Sequence, residues 1–120
     1  MSFLPIYEVL KADPNIALLI DVDKQLHEDM APHDPPLPYV VWQVISGQAN
    51  NHLDTPANFD DTQYQLMVFA ATRQVAYALR DACRTALESQ SWIRNPSINY
   101  YDPKTNLYAR GFDANWILER

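Results

Sequence analysis

The 120-residue chain is 48% hydrophobic and carries fifteen acidic against nine basic residues, a formal net charge of −6; that is the size of one domain with its own core, and its field repels phosphate backbones and works against non-specific nucleic-acid binding. Its one cysteine, Cys83, excludes an internal disulfide and a thiolate metal cluster and fits a reducing compartment. The opening MSFLPIYEVLKADP has no basic stretch leading into an apolar core, and no window approaches the roughly 18 apolar residues of a membrane span, so an unexported domain with no membrane partner is expected.

In PIYEVLKADPNIALLI, Ile6, Val9 and Leu10 stand at helical spacing, with Pro5 in a first turn and Pro14 breaking the run. A short helix followed by another turn of apolar chain is expected. The connector DVDKQLHEDMAPHDPPLP is acidic and proline-rich. Within it only residues 25–30 have strand character, and Pro35, Pro36 and Pro38 hold the chain extended. Residues 37–47, LPYVVWQVISG, read as a strand that is apolar at both parities: Tyr39, Val41 and Ile45 alternate with Val40, Trp42 and Val44. An ordinary half-exposed strand is apolar on one side. Residues 62–70, TQYQLMVFA, repeat the pattern, with Tyr64, Leu66 and Val68 on one side and Met67 and Phe69 on the other. The intervening QANNHLDTPANFDD, residues 48–61, is polar apart from Leu53 and Phe59 and far exceeds the roughly 2 to 5 residues a hairpin needs.

After Thr72, a candidate N-cap, RQVAYALRDACRTALESQ places Val75, Ala76, Leu79, Ala82, Cys83, Ala86 and Leu87 on one helical face. Arg84 and Glu88 stand four apart on its outer side, and Asp81 is within reach of Arg84. The remainder is punctuated as a hairpin, with DPKTN as the turn and Tyr108, Arg110, Phe112, Ala114 and Trp116 alternating on the return strand. The order predicts an α+β fold: a mostly antiparallel β-sheet with one long helix packed on one face and a short N-terminal helix. One helix covers one face, and the short N-terminal helix leaves too little chain to bury Trp42 and its partners on the second. A further copy is therefore expected to cover it. Trp42, Tyr64, Met67 and Phe69 are the expected subunit interface. The long loop is expected to dock on a partner through His52, Leu53, Asp54 and Phe59, because long polar loops with isolated apolar residues serve as anchors.

Catalysis finds little support. His27, His33 and His52 lack the HxxxH or HxH pairing of a zinc site, and Cys83 lies on the apolar helix face. Gly47 and Gly111 are the only glycines, so no phosphate-cradling loop exists. No catalytic residue, metal or cofactor is expected. Two other readings remain. The rings of Trp42, Tyr64, Phe69, Tyr100, Tyr101 and Tyr108 would suit a sheet platform for single-stranded nucleic acid, although only Arg94, Lys104 and Arg110 lie near them. A small metal-dependent hydrolase built around His27 is the other.

Taken together, LPYVVWQVISG, the loop QANNHLDTPANFDD, the step from TQYQLMVFAAT into RQVAYALRDACRTALE, and the closing YDPKTNLYARGFDANWIL resemble the tail completion and tail terminator proteins of long-tailed phages and prophages. The resemblance covers nearly the whole chain. It implies an α+β fold that assembles as a ring, commonly a hexamer, at the head-proximal end of the tail tube. There the ring ends tube growth or joins tail to head, in a particle assembled in the host cytoplasm. The implied partners are further copies of the chain, the tail tube protein and the head connector or neck proteins. DNA passes through without specific binding, which a negative protein suits. The resemblance carries no catalytic residues to transfer.

Overall fold

Proline divides the N-terminal apolar run without ending it. Helix α1 (Ile6–Ala12) buries Ile6 and Leu10. Asp13 then leaves the helix in extended conformation and its carboxylate accepts the N–H groups of Asn15 and Ile16, starting α2 (Pro14–Ala17). Pro14 sits at the first helical position, where no N–H is needed. A further turn, α3 (Val22–Gln25), is capped by Asp21; the sequence reading holds no helix there, because four residues are too few to show a period. The computed structural model describes residues 4–49 and 59–119.

Strand β1 (Leu26–Glu28) falls inside the stretch expected to be able to form one, and it pairs in parallel with β2 (Tyr39–Ala49), Leu26 opposite Val40 and Glu28 opposite Trp42. Strands β2 and β3 (Phe59–Ala70) form an antiparallel pair that runs past both expected limits, to Gln48 opposite Asp61 and Ala49 opposite Asp60. Residues 48, 49 and 59–61 of the expected loop are thereby strand, and the rest of it lies outside the described residues. The polar residues at its two ends join the ladder because pairing uses main-chain groups, and β5 supports them from the other side, with Asp60 opposite Leu118 and Asp61 opposite Ile117. Polarity marks a loop only where no ladder is on offer.

Thr72 caps α4 (Arg73–Leu87), its hydroxyl accepting the Val75 N–H at 3.3 Å. Of the expected apolar face, Ala76, Leu79, Cys83 and Leu87 are buried, whereas Val75 is exposed. Val75 lies in the first turn, beside Leu37, Pro38 and Ala71, where the helix has just left the sheet end. Arg84 and Glu88 pair as expected, at 3.4 Å, but Asp81 pairs with its neighbour Arg80, at 3.0 Å, instead of with Arg84. Strands β4 (Trp92–Asp102) and β5 (Leu107–Glu119) make the closing hairpin. The Asp102 carboxylate accepts the Lys104 N–H at 2.9 Å and the Thr105 hydroxyl at 3.0 Å, and Asn106 takes the left-handed backbone (φ 58°) that closes the turn.

Among the described residues the sheet has five strands in the order β1-β2-β3-β5-β4, antiparallel except for the β1–β2 pair. The fold is α+β. Val40, Trp42, Tyr64, Leu66, Phe112 and Trp116 point to one face, where they meet Leu10, Ile16, Leu79, Cys83 and Leu87 from the helices. The Tyr64 hydroxyl donates to Ser91 Oγ (2.9 Å), which in turn donates to the Leu87 carbonyl at the end of α4 (2.8 Å). The expected shortage of covering material does not arise on this face, since α1 and α2 pack beside α4. Trp42 is 2% exposed and Tyr64 fully covered, which corrects the expectation that their rings lie on the uncovered side.

The layers differ in length. Fifteen helical residues span roughly 22 Å, thirteen strand residues roughly 43 Å, and the molecule measures 53 × 29 × 24 Å. Ser91 places the end of α4 level with Tyr64, and the β2, β3 and β5 ladders continue beyond that level to Ala49, Phe59 and Glu119.

Candidate assembly surface

The sheet face away from the helices is built by the other parity of the same strands. Tyr39, Val41 and Gln43 from β2 stand beside Gln65, Met67 and Phe69 from β3, followed by Ala109 and Gly111 from β5 and Tyr100 from β4. A row of rings crosses it. Tyr39 and Phe69 stack, with centroids 5.0 Å apart and planes 20° from parallel. Phe69 meets Tyr100 edge to face at 6.3 Å, and His27 meets Tyr39 likewise at 6.2 Å. Register explains the row: Ala109 lies between Phe69 and Tyr100, and its small side chain lets the two rings meet across an intervening strand.

Gly111 serves the same surface. It pairs with Met67, and a Cβ there would run into the Leu66 carbonyl oxygen and the Met67 sulfur. Without one, Met67 lies flat across β5.

The proline-rich connector supplies a wall. The Asp29 N–H reaches the Trp42 carbonyl at 2.8 Å, and Asp29 (φ 70°) then turns the chain back over the sheet. Residues 29–35 and the ring row enclose an open groove of about 390 Å³, with Met67 and Val41 on its floor and Met30, Pro32, Tyr39 and Tyr100 around it. The segment expected only to stiffen the entry to β2 therefore covers part of the second face.

Met67 and Phe69, of the expected interface set, stand on this surface, Met67 nearly covered and Phe69 half-buried. Trp42 and Tyr64 do not. His52, Leu53 and Asp54 lie outside the described residues, and Phe59 opens β3. Tyr39, Tyr100 and Met30 belong to the surface and were absent from the expected set. Tyr39 could have been found by parity, since it must face away from Trp42 three positions on. Met30 carries no such signal.

Cys83 is fully buried, and burial pushes its thiol up to about 12, far from a thiolate nucleophile. His27 contributes its ring to the row, and His33 is an exposed neighbour of Asp34. Among the described residues no three His, Cys, Asp or Glu side chains converge. Arg110 lies on the helix side of the sheet, with its guanidinium over the Tyr77 ring at 4.8 Å and bonded to the Tyr100 and Ala109 carbonyls. It is not available to the ring row.

The family model described as Tail completion protein gp17 matches residues 5–119. The chain belongs to this family. It is a tail completion protein, a structural component of the phage tail and a part of the virion in its tail and neck. Its fold is also that of a chain in the solved virion of a native gene transfer agent (GTA) particle, with a TM-score of 0.65 at 15% identity over 96% of this chain and 92% of that one. No curated protein sequence matches.

Proposed function

We propose that this tail completion protein assembles as a ring, a hexamer, at the head-proximal end of the tail tube, where it ends tube growth or joins the tail to the head. The observation that carries the reading is the row of His27, Tyr39, Phe69 and Tyr100 across a sheet face that the helices leave uncovered. Family membership supplies the setting, and a neighbouring copy is the cover that an apolar sheet face needs. Phe69, over Met67, is then the centre of the interface. The other partners are the tail tube protein and the head connector or neck proteins. DNA passes without specific binding, through a particle part whose net charge of −6 offers phosphates little hold. The role involves no reaction and no cofactor. The ring row does not favour a nucleic-acid platform: Asp29 lines its groove and the Arg110 guanidinium sits on the opposite face.

The stretch that joins β2 to β3, through His52, Leu53, Asp54 and the adjoining Phe59, would dock on the tail tube. Replacing residues 50–58 with a short glycine and serine turn tests this. The expected product folds and self-associates, yet phage carrying it make overlong or headless tails in electron micrographs. Normal infectious particles would end the docking role, and a tail population of normal length and head attachment after deletion of the whole gene would end the proposal itself.

A further inference from the structure

We propose that neighbouring copies in the ring meet head to tail, the acidic β1 side of one against the basic β4 edge of the next. This rests on the ring reading and adds the charged rims of the contact centred on Phe69, which lie at the two ends of the ring row, by His27 on β1 and Tyr100 on β4. The sheet has two unlike edges, β1 and β4. Residues 21–38, which contain β1 and the connector, hold five acidic residues against one lysine, a net −4. On the other side, β4 and its turn, residues 92–106, hold Arg94 and Lys104 against Asp102, while Arg73, Arg80 and Arg84 stand on α4, which packs over β3 and β5. The total of −6 hides this polarity.

The exposed groups at each edge carry it. Among the described residues, Arg94 and Lys104 make no salt bridge on the β4 side, nor does Asp29 on the other, and Asp34 meets only the exposed His33. Each edge also bears a bare apolar anchor: Trp92 is 60% exposed beside Arg94, and Met30 77% exposed beside Asp29. An exposed aromatic set among charges is the anatomy of an interface centre and its rim.

Charge decides the pairing. Two β4 edges brought together would oppose cation to cation, and two β1 sides anion to anion, at a cost of several-fold to many-fold in affinity. The unlike pairing is attractive. A contact between two different patches is heterologous, and a heterologous contact that closes makes a ring, whereas like-to-like contact stops at a dimer. The contact is made by side chains rather than by extending the sheet, because β4 carries Pro96 and two register breaks, between Ile93 and Asn95 and between Asn95 and Ile98.

The test uses two full-length variants, Asp29→Lys with Asp34→Lys, and Arg94→Glu with Lys104→Glu. Light scattering and sedimentation with purified tail tubes read their association. Each variant alone is expected to lose at least about tenfold in self-association, and an equal mixture to recover it, because every contact in an alternating ring again joins unlike edges. Asp29 and Asp34 both have positive φ (70° and 50°), where lysine is strained and asparagine is tolerated. Asp29→Asn with Asp34→Asn is therefore added as a third variant, expected to weaken association with circular dichroism unchanged. A wild-type ring that persists in every variant overturns the edge assignment and leaves the ring standing. A wild-type protein that stays monomeric both alone and on tubes overturns the ring and this proposal with it.

Discussion

At Gly111 one missing Cβ shapes both sides of the sheet. Because a methyl there would press on the Leu66 carbonyl oxygen and the Met67 sulfur, Gly111→Ala must shift main chain in the β3–β5 pair as well as displace Met67. Overpacking of this kind costs about 1 to 3 kcal/mol. Urea titration followed by circular dichroism should show a lower midpoint with an unchanged slope, and an unchanged midpoint would mean that the strands yield freely. Trp42 and Tyr39 belong to one strand and are both aromatic, yet Trp42 lies in the core and Tyr39 on the open face. With apolar residues at both parities, sequence identifies two faces but does not say which of them the helices take.

Among the elements, the β4–β5 hairpin owes its turn to one side chain. The Lys104 N–H, followed by the Thr105 hydroxyl, holds the Asp102 carboxyl below its ordinary 3.8. A carboxyl lowered by folding stabilises the fold fully above 3.8, and that contribution is lost as pH falls through the folded value. Asp102→Asn keeps an oxygen for the Lys104 N–H and removes the titration. Thermal melts at pH 7 and pH 3 should therefore show a smaller acid-induced fall in Tm for the variant than for the parent; equal falls would mean that Asp102 does not contribute to acid sensitivity. The turn, the Thr72 cap and the alternation on β5 were legible because each rests on near neighbours. The length of the β2–β3 ladder was not, because Gln48, Asp60 and Asp61 pair only by virtue of strands distant in sequence. The short α3 left no period to read.

For the molecule as a whole, the two sheet faces predict different outcomes from similar substitutions. Phe69→Asp removes a half-buried ring that stacks on Tyr39 and touches Tyr100, a loss of about 0.5 to 1.5 kcal/mol per ring pair that a folded protomer survives. The expected result is native far-ultraviolet circular dichroism with association lost. Trp42→Asp, by contrast, places a charge in the core beneath the helices and is expected to unfold the chain. If Phe69→Asp also associates normally, the ring row is not a contact between copies.

The α+β class, the caps and turns, the helix face of α4 and the presence of two apolar sheet faces were legible in the residues alone, since each is written in local periodicity and in residues that favour one backbone conformation. Nearly the whole chain also carried the family resemblance. Strands distant in sequence had to come together before it was clear that Trp42 and Tyr64 face the helices, that residues 29–35 fold back to wall a groove on the other side, and that Arg94 stands on the edge strand opposite β1. Strand order is the cause: residues 21–38 and β4 are connected by no local rule, and the placement of β1 and β4 at opposite edges follows from β3 and β5 pairing at the centre, a choice made by the burial of Tyr64, Leu66, Phe112 and Trp116 together.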